Sequence, residues 1–247
     1  MTVPLIKAIV EYDGTDFCGF QKQPSVRTVQ GELEHSLARV FQATCVHTDG
    51  AGRTDAGVHA KGQVVSFTAP DGFPADRIVP AVNGYLPPDV KLMSAEPAPD
   101  GFHARYSAKA RTYTYVIMNR ELPSALLARY VWHVMGRLDD QAMLLAADEM
   151  TGTRDFASFG MPSIEGANTI RKVFSLKIRR RGDKVIFFIR GTAFLRGMVR
   201  AMAGTLVEAG LGRRGPEEVA AIINAKDRQA VRMFAPPHGL YLTSVEY

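Results

Sequence analysis

The stretch from Phe174 to Ile189 narrows what this chain can fold into more than any other. Phe174, Leu176 and Ile178 alternate with Ser175, Lys177 and Arg179, and Arg181-Gly182-Asp183 then turns the chain into the apolar run Val185 to Ile189. Alternation with period two beside a Gly-Asp turn predicts a long antiparallel hairpin, one face buried and one wet. The wet face is basic: residues 171–200 hold ten basic side chains (Arg171, Lys172, Lys177, Arg179, Arg180, Arg181, Lys184, Arg190, Arg196 and Arg200) and one acid, Asp183. Such a hairpin belongs to a sheet whose apolar face must be covered. A chain of 247 residues, 46% hydrophobic and 22% charged, has the material for that cover.

Before the hairpin, Leu5 to Tyr12 reads as a buried strand closed by Asp13-Gly14. Thr28 caps a helix whose apolar face is Val29, Leu33, Leu37, Val40 and Phe41. Gln63 to Ala69 and Val90 to Glu96 read as strands, and Asp76 to Val82 as a helix despite Pro80. The prolines and glycine of Glu96-Pro-Ala-Pro-Asp-Gly101 interrupt regular structure. They suggest one lobe over residues 1–100 and a second over 101–247. The second lobe adds strands at Arg111 to Met118, Tyr130 to Val134 and Leu240 to Tyr247. Asp139 caps a helix carrying Met143, Ala147 and Met150; two more helices hold Met198 to Ala209 and Pro216 to Ile223. Strands outnumber βαβ units, so the fold class is α+β with largely antiparallel sheet.

Charge divides with the lobes. Residues 1–105 carry 9 Lys and Arg against 12 Asp and Glu, whereas 106–247 carry 21 against 13. The basic excess of the second half, with Arg171, Lys172, Lys177 and Arg179 on the hairpin, fits a phosphate footprint. A solvated basic strand face fits it equally well. No long uncharged apolar run spans a bilayer and no secretory leader is legible at Met1-Thr-Val-Pro-Leu-Ile-Lys7, which points to a cytoplasmic protein without a membrane partner. Cys18 and Cys45 lack metal or disulfide spacing, so no metal is expected.

Chemistry concentrates in Asp49-Gly-Ala-Gly-Arg-Thr-Asp-Ala-Gly-Val-His59, where Gly50, Gly52 and Gly57 let backbone turn tightly or approach a ligand. Arg53 and Asp55, one residue apart, are spaced for a charge-assisted contact that keeps Asp55 ionised as nucleophile or base. An ordinary Gly-rich turn accounts for the same residues. His59 either binds phosphate or fixes the loop. Arg111-Thr-Tyr113-Thr-Tyr115 puts aromatics on a strand beside basic residues, as a protein that stacks an unstacked base would, or as plain sheet packing would. Arg200, on the Met198 helix, is a site residue or a solvated flank.

In order along the chain these segments resemble the tRNA pseudouridine synthase A family. Tyr12-Asp-Gly-Thr-Asp-Phe-Cys-Gly-Phe-Gln-Lys-Gln-Pro24 and Arg27-Thr-Val-Gln-Gly-Glu-Leu-Glu34 resemble its N-terminal signature, and Gly52-Arg-Thr-Asp-Ala-Gly-Val-His-Ala60 its catalytic loop. Phe102-His-Ala-Arg105, Arg111 to Tyr115, Asp155-Phe156, Ser158-Phe159, Thr169-Ile-Arg171, Phe194 to Arg200, Ala225-Lys-Asp-Arg228 and Gly239-Leu-Tyr-Leu242 follow. The resemblance implies two α+β lobes meeting at a central RNA-binding cleft, a homodimer that binds tRNA across both subunits, and no cofactor. It implies isomerisation of uridines at positions 38 to 40 of the anticodon arm. Asp55 would be the nucleophile, Arg53 would pair with it and enter where the base leaves the helix, and Arg200 would help to hold it. Tyr113 would stack on the uracil, and Leu240 would line its pocket. Gly197 and Ala201 depart from the family, which often has larger polar residues there.

Three other readings compete. They are a synthase of the same fold acting on another RNA, an RNA-binding protein without activity, and a glycosidase pairing Asp49 with Asp55.

Overall fold

The computed structural model describes residues 4–162 and 166–247, so the first three residues of the N-terminal stretch read above lie outside the described residues. The chain divides into two compact units, Met1–Lys109 with Leu242–Tyr247, and Ala110–Tyr241. A single boundary in sequence cannot express this division, because the last strand returns the chain to the first unit.

In the first unit the central strand β1 (Leu5–Tyr12) has Ala8 and Val10 fully buried, as its alternation requires. It pairs antiparallel with β3 (His59–Thr68) and β4 (Val90–Pro97), while the three-residue β2 (Thr48–Gly50) lies against β3. β3 starts earlier than the apolar run at Gln63, because a bulge after Val10 sets Tyr12 opposite Ala60. Helix α1 (Val29–Phe41) has the expected cap: Thr28 Oγ1 accepts from Gly31 N at 3.3 Å. Val29, Leu33 and Leu37 are fully buried, and Phe41 packs on Phe67 and Phe73. Helix α2 (Ala75–Asn83) holds Pro80 inside it; burial of Ile78 and Val82 outweighs the hydrogen bond that the proline cannot donate. Arg27 binds both oxygens of Asp89, at 2.7 and 2.9 Å, and Glu32 at 2.8 Å, so its guanidinium is held charged. The C-terminus closes the unit: Tyr247 donates to Ala104 O at 2.7 Å and packs on Phe102.

In the second unit β5 (Ala110–Asn119), β9 (Lys184–Gly191), β8 (Ile170–Arg181) and β7 (Gly152–Asp155) neighbour one another in that order, all antiparallel. β6 (Trp132–Val134) lies parallel to β5. It begins later than the expected Tyr130, because the amides of Tyr130 and Val131 both turn back to Leu127 O. The two-residue turn Gly182–Asp183 closes the hairpin, with Gly182 at φ 59.

One element of the hairpin differs from its pattern. Phe174 was expected to face inward with Leu176 and Ile178. The register shifts between Val173 and Ser175, so Phe174 is the extra residue of a bulge and stands 39% exposed.

Helix α3 (Asp140–Glu149) is capped by Asp139, which accepts from the amides of Gln141 and Ala142. Arg180 of β8 grips Asp140 with contacts of 2.6 to 3.0 Å and holds its carboxyl below the usual range. Helix α4 (Met198–Gly210) is buried at every residue except Arg200, the pattern of a core helix rather than a surface one. A Cβ added at Gly204 would collide with the Met233 carbonyl. Helix α5 (Pro216–Ala225) has proline in its first turn, and Glu218 accepts from Gly215 N at 2.9 Å. A last strand, β10 (Leu240–Glu246), closes the described elements. No helix among the described residues is long and apolar enough to cross a membrane.

Candidate active site

The Gly-rich loop of the first unit runs from the end of β2 into β3 and is braced at Ala51, Gly52 and Thr54. Ala51 N donates to Val64 O at 2.8 Å, and Gln63, fully buried, donates from Nε2 to Gly52 O at 2.7 Å. Thr54 turns inward, 7% exposed, with its hydroxyl 2.8 Å from that of Tyr12. Its carbonyl accepts from Phe20 N at 3.1 Å, and Gln30 N donates to Phe20 O, so the loop is tied to the start of α1. The Phe20 ring fills the space that a side chain at Gly50 would need. Gly19, at φ 93, lies so near the Thr54 carbonyl that a Cβ would sit 2.9 Å from it.

On this brace Asp55 sits half-buried at the head of a turn, with Val58 N donating to its carbonyl at 3.2 Å and Gly57 at φ 77. Arg53 points outward and is exposed. The expected ion pair between them is not made: Arg53 forms no ion pair among the described residues. Thr54 between them is drawn into the core by Tyr12, which turns Arg53 to solvent. His59 is 2% exposed, its Nδ1 accepts from Gly14 N at 3.0 Å and lies 3.1 Å from Asp13 Oδ1. A ring so enclosed fixes the loop rather than meeting a phosphate. A Cβ at Gly14 would collide with the Val58 carbonyl, so the Asp13–Gly14 turn and the loop fit only as glycine allows. Asp49 lies on β2, with His47 Nε2 at 3.6 Å and His103 Nε2 at 3.7 Å from its carboxylate.

The other named residues lie in the second unit. Tyr113, 7% exposed, faces the same side of β5 as the fully buried Tyr115 and meets the Phe194 ring edge-on at 5.2 Å. Arg200 is half-buried and donates from Nε to Ala235 O at 2.8 Å, while Ala235 N donates to Arg200 O. The next residue, Pro236, accepts from the Tyr115 hydroxyl at 2.8 Å, and a Cβ at Gly239 would press on the Tyr115 ring. Burial raises the Tyr115 pKa, against the pull of Arg200. Arg200, the 235–239 segment and Tyr115 thus form one assembly, from which Leu240, 5% exposed, follows directly. Gly197 caps α4 in the left-handed conformation at φ 77, which strains any residue with a side chain there, and Ala201 is fully buried.

On the hairpin Lys172, Lys177 and Arg179 are exposed. Arg171 is half-buried, and its Nη1 is taken up by the carbonyls of Asn168 and Ile170. Among the described residues no group of three or more His, Cys, Asp or Glu stands where it could hold a metal ion.

Sequence reasoning missed Tyr12, Phe20, Thr54 and Gln63 as the residues that position the loop. Their partners lie up to 42 residues away. The one sequence sign of them is the spacing of Gly14 and Gly19 beside Tyr12 and Phe20.

A family model described as tRNA pseudouridine synthase matches residues 8–107 and 146–247. The chain is 45% identical over 231 residues to "tRNA pseudouridine synthase A" of Halalkalibacterium halodurans, covering 94% of this chain and 88% of that one. It is 42% identical over 243 residues to the protein of that name from Bacillus subtilis, covering 98% of both. With the one from Thermosipho melanesiensis it shares 43% over 236 residues, covering 95% of this chain and 96% of that one.

Proposed function

The chain belongs to the tRNA pseudouridine synthase A family, an isomerase family, and on that premise we propose that it converts uridine to pseudouridine at positions 38 to 40 of the tRNA anticodon arm, with Asp55 as nucleophile. The observation that carries the reading is the braced loop. Gly52 and Thr54 are fixed by buried partners, while Asp55 stays half-buried at the turn that follows.

The reaction asks for little beyond such a carboxylate. The N1–C1′ bond breaks, the base turns, a C5–C1′ bond forms, and the proton from C5 is lost as N1 gains one, so mass and oxidation state are unchanged. No cofactor enters this balance. Asp55 acts by adding at C6 of the base or by assisting departure at C1′. The uridine must leave its stack, at a cost of a few kcal/mol. Stacking on Tyr113, the apolar wall of Leu240 and phosphate contacts offset that cost. Arg53, turned to solvent, is suited to enter the space the base vacates, and Arg200 is the cationic support of the reaction. The enzyme acts as a cytoplasmic homodimer that binds tRNA across both subunits.

Pseudouridine mapping by carbodiimide labelling and primer extension on treated tRNA tests the position: stops one nucleotide 3′ of positions 38 to 40 are expected. Stops elsewhere would reassign the target RNA, and free uracil in the supernatant would make the protein a hydrolase.

The hairpin cations are proposed to bind phosphates without reading sequence. Lys177→Ala and Arg179→Ala should each weaken binding of different tRNAs about equally. Each should also reduce the slope of log K against log salt by about 0.7 to 0.9. Titrations between low and moderate salt check this, and an unchanged slope would place that side chain off the RNA.

A further inference from the structure

The bulge at Phe174 puts an aromatic ring on the surface in surroundings suited to a nucleobase. Val173 lies opposite Gly191 and Ser175 opposite Arg190, which leaves Phe174 without a cross-strand partner and 39% exposed. The Arg190 guanidinium stands 4.8 Å from the ring centroid and the Lys172 ammonium 5.5 Å from it. These contacts hold the ring in place, and the exposed Lys172 is within reach of a phosphate beside it. Further along the strand, Lys177 and Arg179 are exposed opposite Phe188 and Ile186. The one acid between residues 171 and 200, Asp183, lies at the far turn and is paired with Arg120 at 3.1 Å.

We propose that Phe174 is a stacking platform for an unpaired base of the tRNA other than the reacting uridine, with Lys172 neutralising a phosphate that flanks it. The inference rests on the reading of the chain as a tRNA-modifying enzyme and adds a binding site to it. A phosphate footprint alone needs no ring, whereas every base offers a π-face that an exposed aromatic can take without regard to sequence. Charge selects RNA over a second copy of the chain. Two copies of a face carrying Lys172, Lys177, Arg179 and Arg190 repel each other, while a polyanion is drawn to it.

The test is equilibrium binding of a fluorescein-labelled anticodon stem-loop RNA to the full chain, with Phe174 changed to Ala, Leu and Tyr. Phe174→Ala and Phe174→Leu should weaken binding by about five-fold or more, the low end for one stacked base. Phe174→Tyr should stay within about two-fold, since it keeps the ring. The salt slope should not change, because no charge is removed. Thermal melting of each variant, alone and free of RNA, shows that the fold is kept. Wild-type affinity in Phe174→Leu would overturn the proposal, as apolar bulk would then suffice. A lower sedimentation mass in Phe174→Ala would also overturn it, as a contact between subunits. Failure of the tRNA reading looks different: wild type itself would then neither bind the stem-loop nor modify it.

Discussion

Asp55→Ala is expected to lose turnover by a factor of about 10⁴ or more while binding the anticodon arm within about two-fold of wild type. The split follows from the loop's construction. The brace consists of Gly52 held by Gln63, Thr54 held by Tyr12 and Phe20, and Ala51 held by Val64, and none of these contacts uses the Asp55 side chain. Removing the carboxylate therefore leaves these contacts in place while it takes away the group that the chemistry requires. The other carboxylate nearby in sequence, Asp49, stands on β2 beside His47 and His103 rather than on the turn that carries Asp55. Single-turnover assays beside equilibrium titration measure the two quantities separately. Asp55→Asn, with the same shape and no charge, should be as inactive as the alanine variant.

The second large effect concerns the helix that carries Arg200. Glu208 of α4 accepts from Arg214 Nε at 2.7 Å, with side-chain exposures of 8% and 4%. Arg214 also donates to Ala230 O, and Arg213 N to Glu208 O, so the pair joins the end of α4 to two following segments. Glu208→Ala strands a buried guanidinium, which costs about 3–5 kcal/mol. For a chain of this size that lowers the melting temperature by about 10 °C or more. Replacing both partners, as Glu208→Leu with Arg214→Met, should restore most of the loss, because the desolvation of the pair then disappears with its attraction. Urea denaturation of the three proteins separates a net stabilising pair from one that is merely expensive to break.

The features legible in the sequence were those that depend on neighbours within a few residues. β1 spans Leu5–Tyr12 as its alternation and the Asp13-Gly14 stop require, and the Thr28 and Asp139 caps are made by the side chains that the pattern named. Burial of the α4 stripe goes further than its spacing implied, since the helix is covered all round except at Arg200. β2 was not legible, because Thr48-Asp-Gly50 is too short to show a period and exists through its pairing with β3. Nor was the outward turn of Phe174, since a bulge breaks the period of two without changing the residues on either side. At the site, the spacing of Arg53 and Asp55 suggested a pair, but spacing says nothing of direction, and the pull of Tyr12 on Thr54 sends Arg53 outward. Burial of His59 depends likewise on Gly14, 45 residues earlier.

The central claim is isomerisation by Asp55, and release of tritium from anticodon-arm tRNA labelled at uridine C5 tests it most directly, because joining the base to the sugar through C5 must expel that hydrogen. Wild type should release tritium in step with pseudouridine formed, with no free uracil, and Asp55→Ala should release none. Release that persists in Asp55→Ala, or tight tRNA binding by wild type without any release, would contradict the account.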